Sequence, residues 1–310
     1  MERYFLRRLV QGIAVLWLLT VIVFVISHLS GNPVDLLMPQ GATQAQRTAM
    51  IHDLGLDRPL PVQYAKFLSR AVQGDFGQSI RFHTPAMSLV LSHLPATIEL
   101  AFAALFLATV IGIPLGILAA LYRGRPVDYA ATTMLTVGQA VPSFWLAILL
   151  ILWFGVDLGW LPIGGRSGFE SLILPAVTLA VIPLVTIARI TRSSIGSVLP
   201  QDYVRTAEAK GLRRRTVLRR HVLRNGLLPV VTVGGIAMGG LLSGAVITEQ
   251  IFTWPGIGWL TIQAIEARDY AVVQAVTLVT AAMIVGLNLL VDFVYFAIDP
   301  RIRDAQAVPA

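Results

Sequence analysis

Apolar positions run along this chain in long unbroken stretches, not in the alternating or striped patterns of a water-exposed domain. Residues 9–29, 96–121, 130–154, 227–248 and 271–298 each match or exceed the roughly 20 apolar residues that carry a helix across a hydrocarbon core. A shorter window, 173–190, is interrupted by Pro175 and Pro183. Together these windows predict an all-α integral membrane protein with six transmembrane helices. Between the first two lies a long segment punctuated by turn formers, "SGNPVD", "LGLDRPLP" and "QGDFGQS". Apolar positions at helical spacing predict short helices there over 43–53 and 62–73.

Basic residues ahead of the first window also describe a secretory signal. Its apolar run, however, exceeds the roughly 7–15 residues of a cleavable segment and leads into "SHLSGNPVD" without a small-residue cleavage pattern. A retained helix is expected. Six spans place both termini on one side. Seventeen of the 24 Lys and Arg residues then share that side, and five of the other seven sit in the long loop, where charge weighs little in orienting a chain. The termini are therefore expected in the cytoplasm. The reading divides the chain into residues 1–29, a basic segment and first span; 30–94, an extracytoplasmic cap; 95–298, a transmembrane core containing a cytoplasmic loop at 192–226; and 299–310, a cytoplasmic tail.

Composition sharpens this picture. The chain is 55% hydrophobic, 13% charged, and has a mean hydropathy of +0.72. A net charge of +7 raises the question of nucleic acid, but membrane topology already accounts for where the charge lies. No nucleic-acid partner is expected. There is no Cys, and His28, His52, His83, His93 and His221 have no ligand spacing, so no metal site is expected. The two Lys residues, Lys66 and Lys210, do not follow a Gly as a phosphate-binding loop requires, and G-x-S-x-G and H-E-x-x-H are absent. No catalytic residue is assigned. If ATP drives this protein, another chain binds it. Glu99, Arg189 and Asp292 are the acidic and strongly basic residues within the windows, and structural pairing is expected for them. The fifth window, "VGGIAMGGLLSGAV", is open to two readings, close helix packing or backbone lining a cavity, with Gly235, Gly239 and Ser243, and Glu99 elsewhere, as pathway candidates. Trp254 and Trp259 suit a headgroup layer.

The charge concentrates in "DYVRTAEAKGLRRRTVLRRHVLRN", residues 202–225, which holds eight of the 24 Lys and Arg residues. Val204, Ala207 and Leu212 share a stripe on a short helix ending near Gly211. Val217, Leu218 and Val222 mark a second helix. Such a helix, Gly turn and basic helix can dock into a partner's groove, or can be a solvated topology signal. Spacing does not choose between them.

The chain resembles, over nearly its whole length, the permease subunit of binding-protein-dependent ABC importers of the dipeptide, oligopeptide and nickel branch. The resemblance is carried by "YFLRRL", "GNPVD", "LGLDRPLPVQY", "GDFGQS", "LPATIELA", "VPSFWLA", "RITRSS", "DYVRTAEAKGL", "HVLRNGLLPVVT", "ITEQIFTWPGIG", "RDYAVVQ", "NLLVDFVY" and "DPRIR". It implies a type I ABC importer transmembrane fold in the bacterial cytoplasmic membrane. It also implies partners: a second homologous permease, two cytoplasmic ATP-binding subunits that hold ATP and Mg, and an extracytoplasmic substrate-binding protein. This chain would bind no cofactor itself. The family signature, Glu-Ala-Ala, three residues, Gly and a distant Leu-Pro, falls on Arg205, Thr206, Ala207, Gly211, Leu228 and Pro229, with Glu208, Leu212 and Arg213 beside them. Arg205 thus replaces the usual Glu, which resembles one member of a heterodimeric permease pair. Peptides are the implied substrate, with nickel chelates and glutathione as alternatives. An ion-coupled secondary transporter would need a midplane ion site in paired broken helices. A membrane receptor or assembly factor would use the cap as a docking domain.

Overall fold

In hydrocarbon a backbone amide or carbonyl has no water to bond, so an apolar window must close its hydrogen bonds within itself. The computed structural model, which describes residues 2–29, 43–54 and 57–298, accordingly forms helices and, among the described residues, no strand beyond an isolated bridge. They are α1 (Glu2–Leu29), α2 (Gln44–Leu54), α3 (Leu60–Val72), α4 (Ala86–Leu121), α5 (Pro126–Ala140) and α6 (Ser143–Leu150) with a π-helical continuation Ile151–Asp157. Next come α7 (Phe169–Val198), α8 (Asp202–Ala209) and α9 (Arg214–Val217), the last prolonged by a π-helical turn, Leu218–Leu223, and by Arg224–Gly226. The chain closes with α10 (Leu228–Gly244), α11 (Val246–Ile251), α12 (Ile257–Glu266) and α13 (Tyr270–Ile298). The tail at 299–310 and most of the loop after α1 lie outside the described residues.

Among the described residues, four helical stretches are long and apolar enough to cross a membrane: Leu6–Leu29, Ala86–Leu121, Phe169–Val198 and Tyr270–Phe293. Two bent pairs bring the number to six if each is one span: Pro126–Ala140 with Ser143–Asp157 at 97°, and Arg214–Gly226 with Leu228–Ser243 at 47°. The expected continuous helix over 130–154 is therefore broken. Pro142 offers no amide and pushes Val141 out of the helical region, to φ −78° and ψ 121°. The converse happens in the window at 173–190. There Pro175 and Pro183 are buried inside one uninterrupted helix, α7, with other helices packed around it.

Contacts divide the chain into two units, Met1–Leu94 with Leu260–Val285, and Pro95–Trp259 with Gly286–Ala310. In the first, Thr20 Oγ1 meets the Tyr64 hydroxyl at 2.8 Å and the Phe24 ring lies against Tyr64 and Phe67. The "GDFGQS" turn is pinned by Ser79, whose hydroxyl donates to the buried Asp269 carboxylate at 2.5 Å. Asp269 also accepts from the Arg81 and Val272 amides, which caps α13.

The second unit is organised around α7, which packs against α5, α6 and α10. Its contact with α4 runs through two glycines one helical turn apart. A Cβ on Gly112 would stand 2.9 Å from the Leu184 carbonyl oxygen, and one on Gly116 would stand 2.5 Å from that of Ala188. Only residues without a side chain let the two backbones approach so closely. Buried Ala104, Ala108, Ala180, Ile187 and Met238 extend the same seam.

Gly116→Val should lower the midpoint of detergent-induced unfolding of the purified chain, by the equivalent of about 3 kcal/mol in unfolding free energy, the upper range for overpacking against backbone. Gly240→Ala, where nothing lies within 4 Å of the added carbon, should leave the midpoint unchanged or raised. Equal midpoints for wild type and Gly116→Val would show that α4 and α7 do not meet in this way.

Candidate functional site

The basic loop is built on the C-terminal ends of α4 and α7. Val204 and Ala207 lie three residues apart on α8 and are buried together with Val217 and Val222 from the second helix, Ile195 of α7 and Ala120 of α4. Leu218 packs against the same cluster. Leu212 does not join it: it is 43% exposed, because the chain has already turned away from the buried face.

That turn has a specific geometry. The Gly211 amide donates to the Glu208 carbonyl at 2.9 Å, and the Leu212 amide reaches back to that of Ala207 at 3.3 Å. These are the two bonds of a Schellman motif, which needs a left-handed residue at its pivot. Gly211 supplies it with φ +74°. Arg213 then opens the next helix, its carbonyl accepting the Thr216 amide at 2.8 Å. At the far end a Cβ on Gly226 would collide with Ile195, so this segment returns tightly onto α7. Asn225 Nδ2 donates to the Tyr203 hydroxyl at 3.2 Å and ties the second helix to the first.

The loop is thus two-faced. Its inner face is a small apolar core. Its outer face exposes Arg205, Thr206, Glu208, Gly211, Leu212 and Arg213, while Ala207 is buried. Leu228 is half-buried and Pro229 exposed in the first turn of α10. None of the eight basic side chains of the loop joins an ion pair among the described residues. Such a surface suits an acidic or phosphate-bearing partner rather than hydrocarbon.

An ion pair braces the adjoining turn. Arg192 of α7 grips Asp128 of α5 with two bonds, Nε to Oδ1 at 2.6 Å and Nη2 to Oδ2 at 2.8 Å, and the Gly124 amide adds a third at 3.0 Å. Asp128 is 3% exposed.

The pathway candidates are scattered. Gly235 faces Val291 of α13, and Gly239 lies near Leu287, so both sit in helix packing. Ser243 is exposed and bonded to the carbonyls of Gly239 and Gly240 in its own helix. Glu99 is paired with Arg166, whose Nη2 is 2.6 Å from its carboxylate.

Nor did sequence reasoning locate the buried carboxylate at the other end of the unit. Glu249 of α11 is fully buried, accepts from Thr97 Oγ1 at 2.6 Å and from the Trp259 amide at 3.0 Å, and leaves no room for side chains at Gly256 and Gly258. The Ile257 amide donates to Thr97 Oγ1 at 2.8 Å, closing the network. Trp254, expected at a headgroup layer, is instead fully buried, and its Nε1 donates to the Ala96 carbonyl at 2.8 Å. Two glycines that follow the buried acid in the same segment, Gly256 and Gly258, give a signal of close backbone approach, legible in "ITEQIFTWPGIG" only once the acid is known to be inside. Trp259 is half-buried.

Comparison with known proteins identifies this arrangement. Residues 112–304 match the family described as binding-protein-dependent transport system inner membrane component, and residues 1–101 match its N-terminal companion. The chain is 41% identical over 315 residues to the oligopeptide transport system permease protein AppB of Bacillus subtilis, spanning 98% of this chain and 100% of that one. It is 40% identical over 333 residues to the di/tripeptide transport system permease protein DppB of Pseudomonas aeruginosa, spanning 98% and 99%. To the glutathione transport system permease protein GsiC of Escherichia coli it is 39% identical over 304 residues, again spanning 98% and 99%. Among solved structures, the inward-facing MetNI methionine ABC transporter superposes with a TM-score of 0.59 at 19% identity, over 69% of this chain and 97% of that chain, which shows a shared fold.

The brace makes a separable prediction. Asp128→Ala leaves the Arg192 guanidinium without its carboxylate. The cost should be about 2 kcal/mol in an unfolding titration, below the 3–5 kcal/mol of a fully buried pair because Arg192 is partly solvated. Asp128→Ala combined with Arg192→Met should recover part of that loss. A double variant as unstable as the sum of the two single ones would deny the coupling.

Proposed function

The chain belongs to the family of binding-protein-dependent transport system inner membrane components, and from that premise we propose that it is the permease subunit which, with a related second permease, forms the translocation pathway of an ATP-driven importer for peptides. Relatives named as oligopeptide and di/tripeptide permeases, matched end to end, support peptides as the substrate class. Equal identity to glutathione permeases supports a second reading, glutathione, itself a small peptide with free carboxylates. Family membership sets aside the ion-coupled transporter.

ATP and Mg are held by two cytoplasmic partner subunits, and this permease performs no hydrolysis. Its part is mechanical. The observation that carries the coupling role is the two-faced loop. Arg205, Thr206, Glu208, Leu212 and Arg213 form the contact surface for an ATP-binding subunit, while Val204 and Ala207 anchor the same helix to α4 and α7. A displacement of the outer face is therefore passed to two spans without slack, which is what alternating access requires. Arg205 stands where the family signature has Glu, so the contact it makes is to an acceptor rather than a donor. That difference supports pairing with a second, non-identical permease. The segment 30–94 forms the extracytoplasmic cap that receives a substrate-binding protein. Ser243, exposed on α10, remains the pathway candidate of the glycine-rich helix, and both termini lie in the cytoplasm of a bacterial inner membrane.

The Gly211 turn gives the test. Gly211→Val forces a branched side chain into φ +74°, at a local cost of about 1–2 kcal/mol, and should swing α8 out of register. Nothing lies within 4 Å of the added Cβ, so expression and membrane insertion should survive. In the assembled complex, ATP hydrolysis stimulated by the loaded binding protein should fall at least fivefold. Deleting residues 202–225 should release the ATP-binding subunits on co-purification. Wild-type stimulation in Gly211→Val together with retained subunits after the deletion would leave this loop without a coupling role.

A further inference from the structure

Both α5 and α7 carry polar faces that a lipid-facing helix would not. Beyond Val177, the exposed positions of α7 are Ile182, Thr186, Arg189, Ser193 and Ser197, spaced by three or four residues and so forming one stripe along the helix. Every other side of this stretch is packed or half-packed. Four of the five stripe residues are polar, and one is a permanent cation. On α5, Leu135 is buried against Val185 and Ala188 of α7, and the two flanks beside that contact differ. One exposes Val127, Ala130, Met134 and Val137. The other presents Thr132, Thr136 and Gln139, with Tyr129 and Thr133 at its edge. The two polar faces meet where Arg189 Nη2 donates to Thr136 Oγ1 at 3.4 Å, the long bond of a guanidinium that keeps most of its donors free.

An arginine within a span is costly in hydrocarbon, so it faces water, a partner or a substrate path. Arg189 lies one turn deeper in the membrane than Arg192, whose fork is filled by Asp128. The broken helix at Val141–Pro142 begins five residues after Thr136 in the chain. Irregular backbone at membrane depth is tolerated where it lines a wet cavity. We propose that the α7 stripe and the polar flank of α5 line the translocation pathway, and that Arg189 binds the free carboxylate of the passing peptide through its planar fork, with Thr136 and Gln139 beside it. This rests on the peptide-importer reading above. It adds a chemical requirement to that reading: a substrate with an unblocked carboxylate, which peptides and glutathione share. Arginine suits that task because its two parallel donors match a carboxylate and its charge never titrates.

The test uses the complete importer, the permease pair, ATP-binding subunits and binding protein, in proteoliposomes supplied with internal ATP. Uptake of a radiolabelled tripeptide is compared with uptake of its C-terminal amide. The same binding protein serves wild type and variant, so the variant-to-wild-type ratio for each peptide isolates the permease. Arg189→Gln should lower uptake of the free acid on the order of tenfold, the loss of one charge-assisted pair. Its uptake of the amide should stay within about twofold of wild type. Arg189→Lys keeps a point charge but loses the fork, so it should reduce the acid by a smaller factor and still by more than the amide. Should the Gln variant fail to assemble, judged by co-elution with its partners, the Lys variant carries the comparison. Equal losses for acid and amide, or no loss for either, overturn the carboxylate assignment and leave Arg189 a packing or lipid-headgroup residue. A wild-type complex that moves neither peptide overturns the importer reading itself.

Discussion

Everything in the larger unit depends on how closely α4 and α7 approach each other. In a bilayer, lipid tails are as apolar as leucine, so helices gain little by merely hiding hydrophobic surface from one another. What holds them is dense packing, which needs backbones near enough for many weak contacts at once. Gly112 and Gly116 provide that, with the carbonyls of Leu184 and Ala188 where side chains would otherwise stand. The consequence appears one turn further along α4. Ala120, four residues after Gly116, meets Ile195 of α7, and these two form the floor on which Val204, Ala207, Val217 and Val222 settle. The basic loop therefore inherits its position from a glycine pair at the contact of two candidate spans.

Polar side chains complete what packing begins, and each works by filling the bonds of a group that is costly to leave alone. Asp128 accepts three bonds, two from Arg192 and one from the Gly124 amide, fixing the short turn between α4 and α5. Glu249 does the same for the "FTWPGIG" loop, which wraps so closely that glycine is required at two positions. In the smaller unit Asp269 pins the "GDFGQS" turn through Ser79. These three acids are among the most buried polar residues described; Asp128 lies in the first turn of α5 and Asp269 immediately before α13, whereas Glu249 sits within the six-residue α11. The start of a helix is where carboxylates meet free amides and where chain direction has to be set.

Much of this was readable in the sequence, for physical reasons that differ by element. The windows at 9–29, 96–121 and 271–298 became helices within a few residues of the apolar boundaries, or extended beyond them, because hydrocarbon leaves the backbone no alternative. Gly211 was readable because a Gly after a short amphipathic helix has few other uses. The break at Val141–Pro142 was not, since the same residue type, at Pro175 and Pro183, sits inside an intact helix. Whether proline breaks a span is decided by its neighbours in space. Leu212 misled for a related reason: helical spacing continues on paper through a turn that ends the helix in fact. Trp254 misled because interfacial preference is a statistical tendency, and a buried carbonyl at Ala96 outbid the headgroup layer for its N–H. Asp128, Glu249 and Asp269 were invisible as a set because their partners lie 64, 152 and 190 residues away along the chain.

The distribution of polarity on α7 then follows from what each side of the helix must face. Three of its sides are committed to α4, α5, α6 and α10, and there even threonines are buried, Thr178 and Thr191 turning their hydroxyls back onto carbonyls of their own helix. A remaining stripe directed at lipid would be expected to carry leucine, isoleucine or phenylalanine, as α4 does at Phe102, Phe106, Val110 and Ile111. The α7 stripe begins that way at Ile182 and then becomes threonine, arginine, serine and serine towards the C-terminal end of the helix. A graded surface of this kind is poorly satisfied by hydrocarbon, and it runs along the face of α7 opposite Ile195, the residue that α7 contributes to the apolar core beneath the basic loop. On the reading proposed above, the helix that the loop would move is the same helix whose polar face would contact the substrate, so a single element would connect the two ends of the transport cycle.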